Sequence, residues 1–454
     1  MKLQRVQLYK LFGDRNVTID LSDLPSIAYI YGENGSGKST LLRFLAALFD
    51  PTKQSELMLS FEIESAVISF STKESLKLVW KANEDSDAAL SPGMRNQSRM
   101  LGQLGRGSRD VHFTLTHNDE EATGVLKWKS DALLQSRELR RIIFASSSRF
   151  ERDHEILARQ AASELGPESF QQDWDPRLTD FFNRISAVYI GTERIAPDST
   201  RTENASEAAA KNISQYIERE VAKQGRYTNQ KSIEHLGRLM NDVSVHGYTP
   251  SEHDLTEIIR ETLLIKSELS AVGLLDDEEG KFDNEVDLLS RMHDSTLRDA
   301  YIPLFYELYK EVRSNLGTFE KPKRRIMAYR DMLNEKLERK KVAISAGGGL
   351  RMADLENENI PFEYLSSGEQ HLLVLYHMLI FQDFHDKDCN LVLIDEPELS
   401  LNFSWLRQFT DDLEKIIAIN GSQFVLATHS PFIASGRPEL REMIACDFIA
   451  KSGI

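Results

Sequence analysis

Cysteine is almost absent: the 454 residues contain two, Cys389 and Cys446, and neither sits in a C-x-x-C pair. This excludes a disulfide framework and a cysteine-built zinc site, and it favours a reducing cytoplasm. Long hydrophobic runs are missing too. No stretch reaches the roughly 18 apolar residues that a spanning helix needs. The opening MKLQRVQLYKLFGDR is broken by Lys10, Gly13, Asp14 and Arg15, so neither a signal peptide nor a membrane segment is expected. Positive charge is in deficit. A formal net charge of −16 opposes a surface given over wholly to nucleic acid and leaves room only for a confined basic groove. Internal repeats and low-complexity tracts are not evident. What the chain has is bulk: 41% hydrophobic and 28% charged residues suffice for a buried core and for more than one compact unit.

Residues 24–31 form a short apolar run rich in β-formers with a glycine-rich turn directly behind it, which predicts a buried strand feeding a loop. From Ser39 onward, Leu41, Leu42, Leu45, Leu48 and Phe49 keep helical spacing until Asp50-Pro51 stops them. Alternating segments at 57–70, 74–81, 111–116 and 122–128 predict an antiparallel sheet beside the first strand, and the polar stretch 83–109 a mobile excursion. From about 200 to 341 helical patterns take over, with Tyr301, Leu304, Phe305, Leu308 and Val312 on one face. This insert carries an acidic stretch from Leu275 and basic segments at 321–325 and 336–341, which read first as solvated faces. Past Gly347-Gly348-Gly349 the texture returns to α/β, with buried strands expected at 391–394 and 424–427.

Four motifs carry chemistry. Gly32-Glu33-Asn34-Gly35-Ser36-Gly37-Lys38-Ser39 satisfies the P-loop pattern G-x-x-x-x-G-K-[ST] and lies between the expected strand and helix. Its glycines let backbone N–H groups wrap the α- and β-phosphates of a nucleotide. Lys38 reaches the β- and γ-phosphates, and the Ser39 hydroxyl takes one Mg2+ position. The candidate nucleotide-binding residues here are Gly32, Asn34, Gly35, Ser36, Gly37, Lys38, Ser39 and Thr40; the plain alternative is a glycine turn that binds nothing.

Leu391-Val392-Leu393-Ile394-Asp395-Glu396-Pro397 is an apolar strand ending in two carboxylates. Beside the P-loop, Asp395 would hold Mg2+ and Glu396 would polarise the attacking water; alone, the same pattern is a strand followed by a helix cap. Leu365-Ser366-Ser367-Gly368-Glu369-Gln370 precedes an apolar helix and reads locally as a capping box, Ser366 at the N-cap and Glu369 three residues on. Its functional reading is that Ser366, Gly368 and Glu369 face the γ-phosphate of an ATP held by another protomer. Last, His429 in Ala427-Thr428-His429-Ser430-Pro431 can contact the γ-phosphate and position water, although a lone histidine is commonly structural.

At these motifs the chain resembles the ABC ATPase superfamily, in the branch of chromosome-maintenance (SMC), double-strand-break-repair and overcoming-lysogenization-defect (OLD) ATPases rather than transporters. The marks are Ser-Ser-Gly-Glu at 366–369, Asp-Glu-Pro-Glu-Leu-Ser-Leu at 395–401 and Thr-His-Ser-Pro at 428–431. The resemblance covers residues 1–80 and 345–454. It implies an α/β, ABC-type P-loop ATPase head, a mixed sheet plus an antiparallel β subdomain, with a helical insertion. On this plan 1–200 and 342–454 are the two parts of the head and 201–341 the insertion. It also implies a D-loop at Ser400, Leu401 and Asn402, where many relatives carry histidine in place of Asn402. The segment Val188–Arg194 resembles one that brings an arginine near the site.

OLD nucleases continue into a Toprim domain, which this chain is expected to lack because it stops soon after His429. The insert is too short for the coiled-coil arms of chromosome-maintenance proteins. The plan is most similar to the stand-alone ATPases of bacterial anti-phage systems, above all those of PARIS systems. That resemblance implies a cytoplasmic, Mg2+-dependent ATPase that assembles into a homo-oligomer, a dimer at least, with a higher ring such as a hexamer also compatible with the two-sided site. It implies as partners a Toprim-family nuclease effector and a phage-encoded trigger protein, with DNA admissible but not required and no membrane. The alternative is a DNA-repair ATPase whose basic segments around 321–341 grip phosphate backbones. A transporter subunit is disfavoured, since such subunits seldom carry an insert of this size.

Overall fold

The computed structural model describes residues 1–50, 61–82, 109–128, 170–191, 205–223, 250–275, 295–344, 349–382, 387–399, 401–430 and 437–448, with 53, 57, 432 and 433. The readings placed on 83–108, on the acidic stretch after Leu275, and on Arg194, Ser400 and Pro431 lie outside the described residues.

The chain opens with β1 (Leu3–Leu11), β2 (Arg15–Asp20) and β3 (Ile27–Tyr31), which runs into helix α1 (Lys38–Phe49). There follow β4 (Ser65–Phe70), β5 (Ser75–Ala82), β6 (Arg109–His117), β7 (Glu120–Trp128), β8 (Phe170–Trp174), α2 (Pro176–Asn183) and β9 (Ile185–Ile190). Helices come next: α3 (205–223), α4 (Glu252–Ser270), α5 (Ser295–Leu316) and α6 (Glu320–Asn334). The rest is β10 (Lys340–Ile344), β11 (Leu350–Asp354), β12 (Asn359–Ile360), α7 (Ser367–Ile380), β13 (Cys389–Asp395), α8 (Phe403–Asn420), β14 (Gln423–Ala427), β15 (Arg441–Met443) and β16 (Ala445–Phe448). None of the described helices is long and apolar enough to cross a membrane. By internal contacts the chain divides into two compact units, Met1–Arg194 with Asp383–Ile454, and Ile195–Gln382. Residues 342–382 thus group with the helices, whereas the sequence reading joins them to 383–454.

In the first unit an eight-stranded sheet of order β16-β2-β1-β4-β5-β6-β7-β8 is antiparallel throughout. A separate five-stranded sheet, β15-β3-β14-β13-β9, is parallel at every pair. The sequences explain the difference. β14 is buried at all five positions, the unbroken apolar run of a strand covered on both faces, while β4 alternates residue by residue. Helix α1 shares one core with both sheets: Leu41, Leu42, Phe44 and Leu45 join Leu3, Val6 and Leu8 on one side and Leu391, Leu393 and Val425 on the other. A helix covered on two sides has to be apolar nearly all round, and each buried Leu or Phe contributes about 1.5–3 kcal/mol. Gln423 adds a polar tie, its side chain accepting from the Leu3 N–H at 2.8 Å and donating to the Leu3 carbonyl at 2.9 Å.

Two expectations shift. The strand expected over 57–70 begins at Ser65, because residues 62–64 bond to the end of β1 without ladder register: the Phe12 N–H donates to the Glu62 carbonyl, and the Glu64 N–H to that of Tyr9. In the second unit, α5 does not bury the stripe read from its sequence. Tyr301, Leu304 and Leu308 are exposed, and α4 packs Leu255, Ile258 and Ile259 against Ile302 and Tyr309. The helix carries apolar residues on more than one face, and the position of α4 decides which is covered.

Arg184, between α2 and β9, donates to Glu74 Oε1 at 2.8 Å and to Asp388 Oδ2 at 2.8 Å. These bonds tie the β4–β5 turn to the approaches of β9 and β13, and the Glu74 side chain is only 8% exposed. Removing the guanidinium leaves a nearly buried carboxylate uncompensated. Arg184→Ala is expected to cost about 2 kcal/mol, read as a lower midpoint in thermal unfolding; an unchanged midpoint would contradict a structural role for the pair.

Candidate nucleotide-binding and catalytic site

The register of the parallel sheet decides what can meet. β14 pairs with β3 as far as Ala427↔Ile30 and with β13 as far as Ala427↔Asp395, so the three strands end within one residue of the same level. The segments that leave them, 32–37, 396–399 and 428–430, emerge at a single edge. The crevice outside the carboxyl ends of parallel strands is where such sheets hold ligands.

The first segment is built for close approach of backbone to ligand. Gly37 caps α1 with φ +95°, and a Cβ there would lie 2.9 Å from Leu11 Cδ2. A Cβ on Gly32 would overlap the Ile444 side chain. Both positions therefore demand glycine. Asn34 and Gly35 form the exposed apex, and Thr40 lies half-buried in the first turn of α1. Arg15 braces the apex, donating to the Gly35 carbonyl at 2.7 Å while gripping Asp14 at 2.7 and 3.1 Å. Lys38 is 4% exposed and folds back on its own loop, Nζ donating to the carbonyls of Gly32 (2.8 Å) and Glu33 (3.0 Å). Burial pushes its pKa down, while Glu396, Asp395 and Glu398 push it back up. Ser36 Oγ is buried with no hydrogen-bond partner among the described residues. Converging N–H groups at a helix N-terminus, a buried ammonium and a bare hydroxyl fit a phosphate chain.

Both oxygens of Asp395 are held by hydroxyls. Ser39 donates to Oδ1 at 3.0 Å and Tyr189, on β9, to Oδ2 at 2.9 Å. Ser39 and Asp395 together make a hard-oxygen pair that suits Mg2+. Glu396 adopts φ +50°, a left-handed conformation that costs a non-glycine residue about 1–2 kcal/mol. Its N–H is pinned to the Ala427 carbonyl at 2.9 Å. From there its Oε1 stands 3.7 Å from His429 Nε2. Leu401 is buried, and Asn402 caps α8 by accepting from the Trp405 N–H at 2.9 Å, which gives the asparagine at this position a local purpose.

In the second unit, Ser366 and Glu369 form the expected capping box at the start of α7. Glu369 Oε2 accepts from the Ser366 N–H (2.7 Å), the Ser366 hydroxyl (2.9 Å) and Lys340 Nζ (2.9 Å). Burial works against this carboxylate, but the Lys340 and Ser366 bonds together hold its pKa below the usual range. Ser366 stays exposed and Gly368 half-buried at the open end of the helix. The first unit thus brings residues 32–40, Asp395, Glu396 and His429 to one edge, and the second holds Ser366, Gly368 and Glu369. Arg15 and Tyr189 are not marked by the sequence: no motif spacing points to Arg15, and the resemblance of Val188–Arg194 points to its arginine and not to Tyr189.

No curated protein matches this chain. Among solved structures it is similar to the Smc head domain of Pyrococcus furiosus, crystallised with an extended coiled coil and the C-terminal domain of ScpA. The two share 16% identity at a TM-score of 0.35, over 98% of this chain and 96% of that one. The SMC head domain of Thermotoga maritima gives 12% identity and a TM-score of 0.34, over 99% of this chain and 100% of its own. The AAA ATPase domain family matches residues 1–434, across both compact units, and the chain belongs to that family.

Proposed function

We propose that the chain binds and hydrolyses ATP as the regulatory ATPase of a bacterial anti-phage defence system. The observation that carries the ATPase reading is the shared strand edge, where Lys38, the Ser39–Asp395 pair and the Glu396–His429 pair converge. On this reading the N–H groups of the P-loop take the α- and β-phosphates. Lys38 exchanges the carbonyls of Gly32 and Glu33 for phosphate oxygens, whose charge offsets the burial of the ammonium. Ser39 and Asp395 would hold Mg2+, which when bound would supply charge neutralisation along the phosphate chain. Tyr189 keeps the second Asp395 oxygen oriented. Glu396 accepts a hydrogen bond from the attacking water and His429 donates to the γ-phosphate. Water oxygen bonds to the γ-phosphorus as the bond to the β–γ bridging oxygen breaks, leaving ADP and phosphate.

Ser366, Gly368 and Glu369 of a second copy close the site, so that bound ATP joins at least two protomers. The system-level reading rests on resemblance: the overall plan, an ATPase head with a helical insert of this size, is most similar to AriA, the ATPase subunit of the PARIS system. On that likeness the assembly holds a separate Toprim nuclease, as AriA holds AriB, until a phage-encoded trigger releases it. The alternative, an ATPase acting directly on DNA, needs free basic side chains around 321–341. At least five of these are engaged within the chain, Arg330 with Asp331 (2.7 Å) among them. Lys323 binds Glu268 (2.8 Å) and Glu320 (2.9 Å), and Arg324 binds Glu320 (2.8 Å). Lys340 binds Glu369 (2.9 Å), and Lys336 is buried over the Tyr376 ring. This favours the regulatory reading.

Lys38→Ala is expected to weaken ATP binding at least tenfold, about 1.4 kcal/mol, by isothermal titration; affinity within twofold of wild type would remove Lys38 from the cradle. Glu396→Gln should still bind ATP yet release no phosphate, and wild-type turnover would take Glu396 out of the reaction. At the level of the system, the expected outcome is a stable complex with a Toprim-type protein and hydrolysis indifferent to DNA. Salt-sensitive stimulation by DNA would point to the alternative.

A further inference from the structure

Glu398 takes no part in the reaction just described, yet one of its carboxylate oxygens accepts three hydrogen bonds. Its Oε1 accepts from the Thr428 hydroxyl (2.7 Å), the His429 N–H (2.8 Å) and the Ser430 N–H (3.1 Å). Its Oε2 is buried with no hydrogen-bond partner among the described residues. Successive backbone N–H groups turned on one point form an anion-binding nest, and here the chain fills that nest with its own side chain. The choice is unusual on grounds of stability. A neutral amide oxygen could accept from the same three donors without the cost of burying a charge, and an unpartnered buried polar atom calls for a reason.

The reason lies in what the three donors carry. Thr428 is fully buried directly after β14, and Ser430 N also lies 3.0 Å from Thr428 Oγ1, so the turn is held on both sides of His429. The turn bearing Glu396 is already pinned to the end of β14 through Ala427. Glu398 adds a second tie between the same two turns, and its bonds are strengthened by full charge on the acceptor. Between the ties sit Glu396 Oε1 and His429 Nε2, 3.7 Å apart. A displacement of about 1 Å at such a pair costs about a hundredfold in rate.

We propose that Glu398 is a positioning residue for ATP hydrolysis: its carboxylate locks the backbone at 428–430 and so aims His429 at the γ-phosphate beside Glu396. The proposal rests on the role given to His429 above. Its test is a double-mutant cycle in the full chain with ATP and Mg2+. Glu398→Ala is expected to lower kcat at least tenfold with KM for ATP within threefold, because the phosphate cradle is untouched. Glu398→Gln, which keeps the acceptor but not the charge, should fall between wild type and Glu398→Ala. The double variant Glu398→Ala/His429→Ala should be no more than twofold slower than His429→Ala, since both changes disable one group. Wild-type kcat in Glu398→Ala, or losses that multiply in the double variant, would overturn the proposal. If Glu398→Ala does not fold, the cycle of Glu398→Gln with His429→Ala reads the same coupling. Wild-type turnover in His429→Ala alone would overturn the role of His429 and this inference together, which separates the two failures.

Discussion

The pairing of β14 between β3 and β13 is the constraint on which the site depends. Ala427 sits opposite Ile30 on one side and Asp395 on the other, and its carbonyl takes the Glu396 N–H. Three chain segments far apart in sequence therefore turn at the same height. A one-residue change of register would carry Asp395 to the other face of its strand and separate it from Ser39. The sheet is held in that register by the core around α1, which buries apolar side chains against both sheets at once.

Around that edge the chain keeps features that do not favour stability by themselves. Lys38 is a buried cation, Ser36 a buried bare hydroxyl, Glu396 a left-handed glutamate and Glu398 a carboxylate with one unsatisfied oxygen. Each costs free energy in isolation. Their concentration within one crevice is the pattern of a site kept ready for a charged ligand, with backbone and side chains set before the ligand arrives. The helix that starts at Ser366 shows the complementary case: a complete capping box stabilises its first turn and still leaves the Ser366 end exposed.

Much of this was legible in the sequence because the signals were local. The run before Gly32, the helical spacing after Ser39 and the apolar strand ahead of Asp395 each fix an element and its end, and those ends are where the chemistry lies. What was not legible depended on contacts between distant segments. Nothing in its neighbours marks Arg15 as a brace for Gly35, Tyr189 as the second partner of Asp395, or Glu398 as the anchor of His429. The buried stripe of α5 was misread for the same reason, because with apolar residues on several faces only the position of α4 selects Ile302 and Tyr309 over Tyr301 and Leu304. The grouping of 342–382 with the helices is likewise a matter of contacts and not of local pattern.

The most direct test of a nucleotide shared between copies is to mix two inactive chains. One carries Lys38→Ala and the other Ser366→Arg, and the two are unfolded and refolded together or co-expressed. If Lys38 of one protomer and Ser366 of its neighbour close on the same ATP, each mixed dimer has one intact site. The mixture should then regain about a quarter of wild-type hydrolysis, where either chain alone has none. A mixture as inactive as its components would contradict the shared site and with it the proposed assembly.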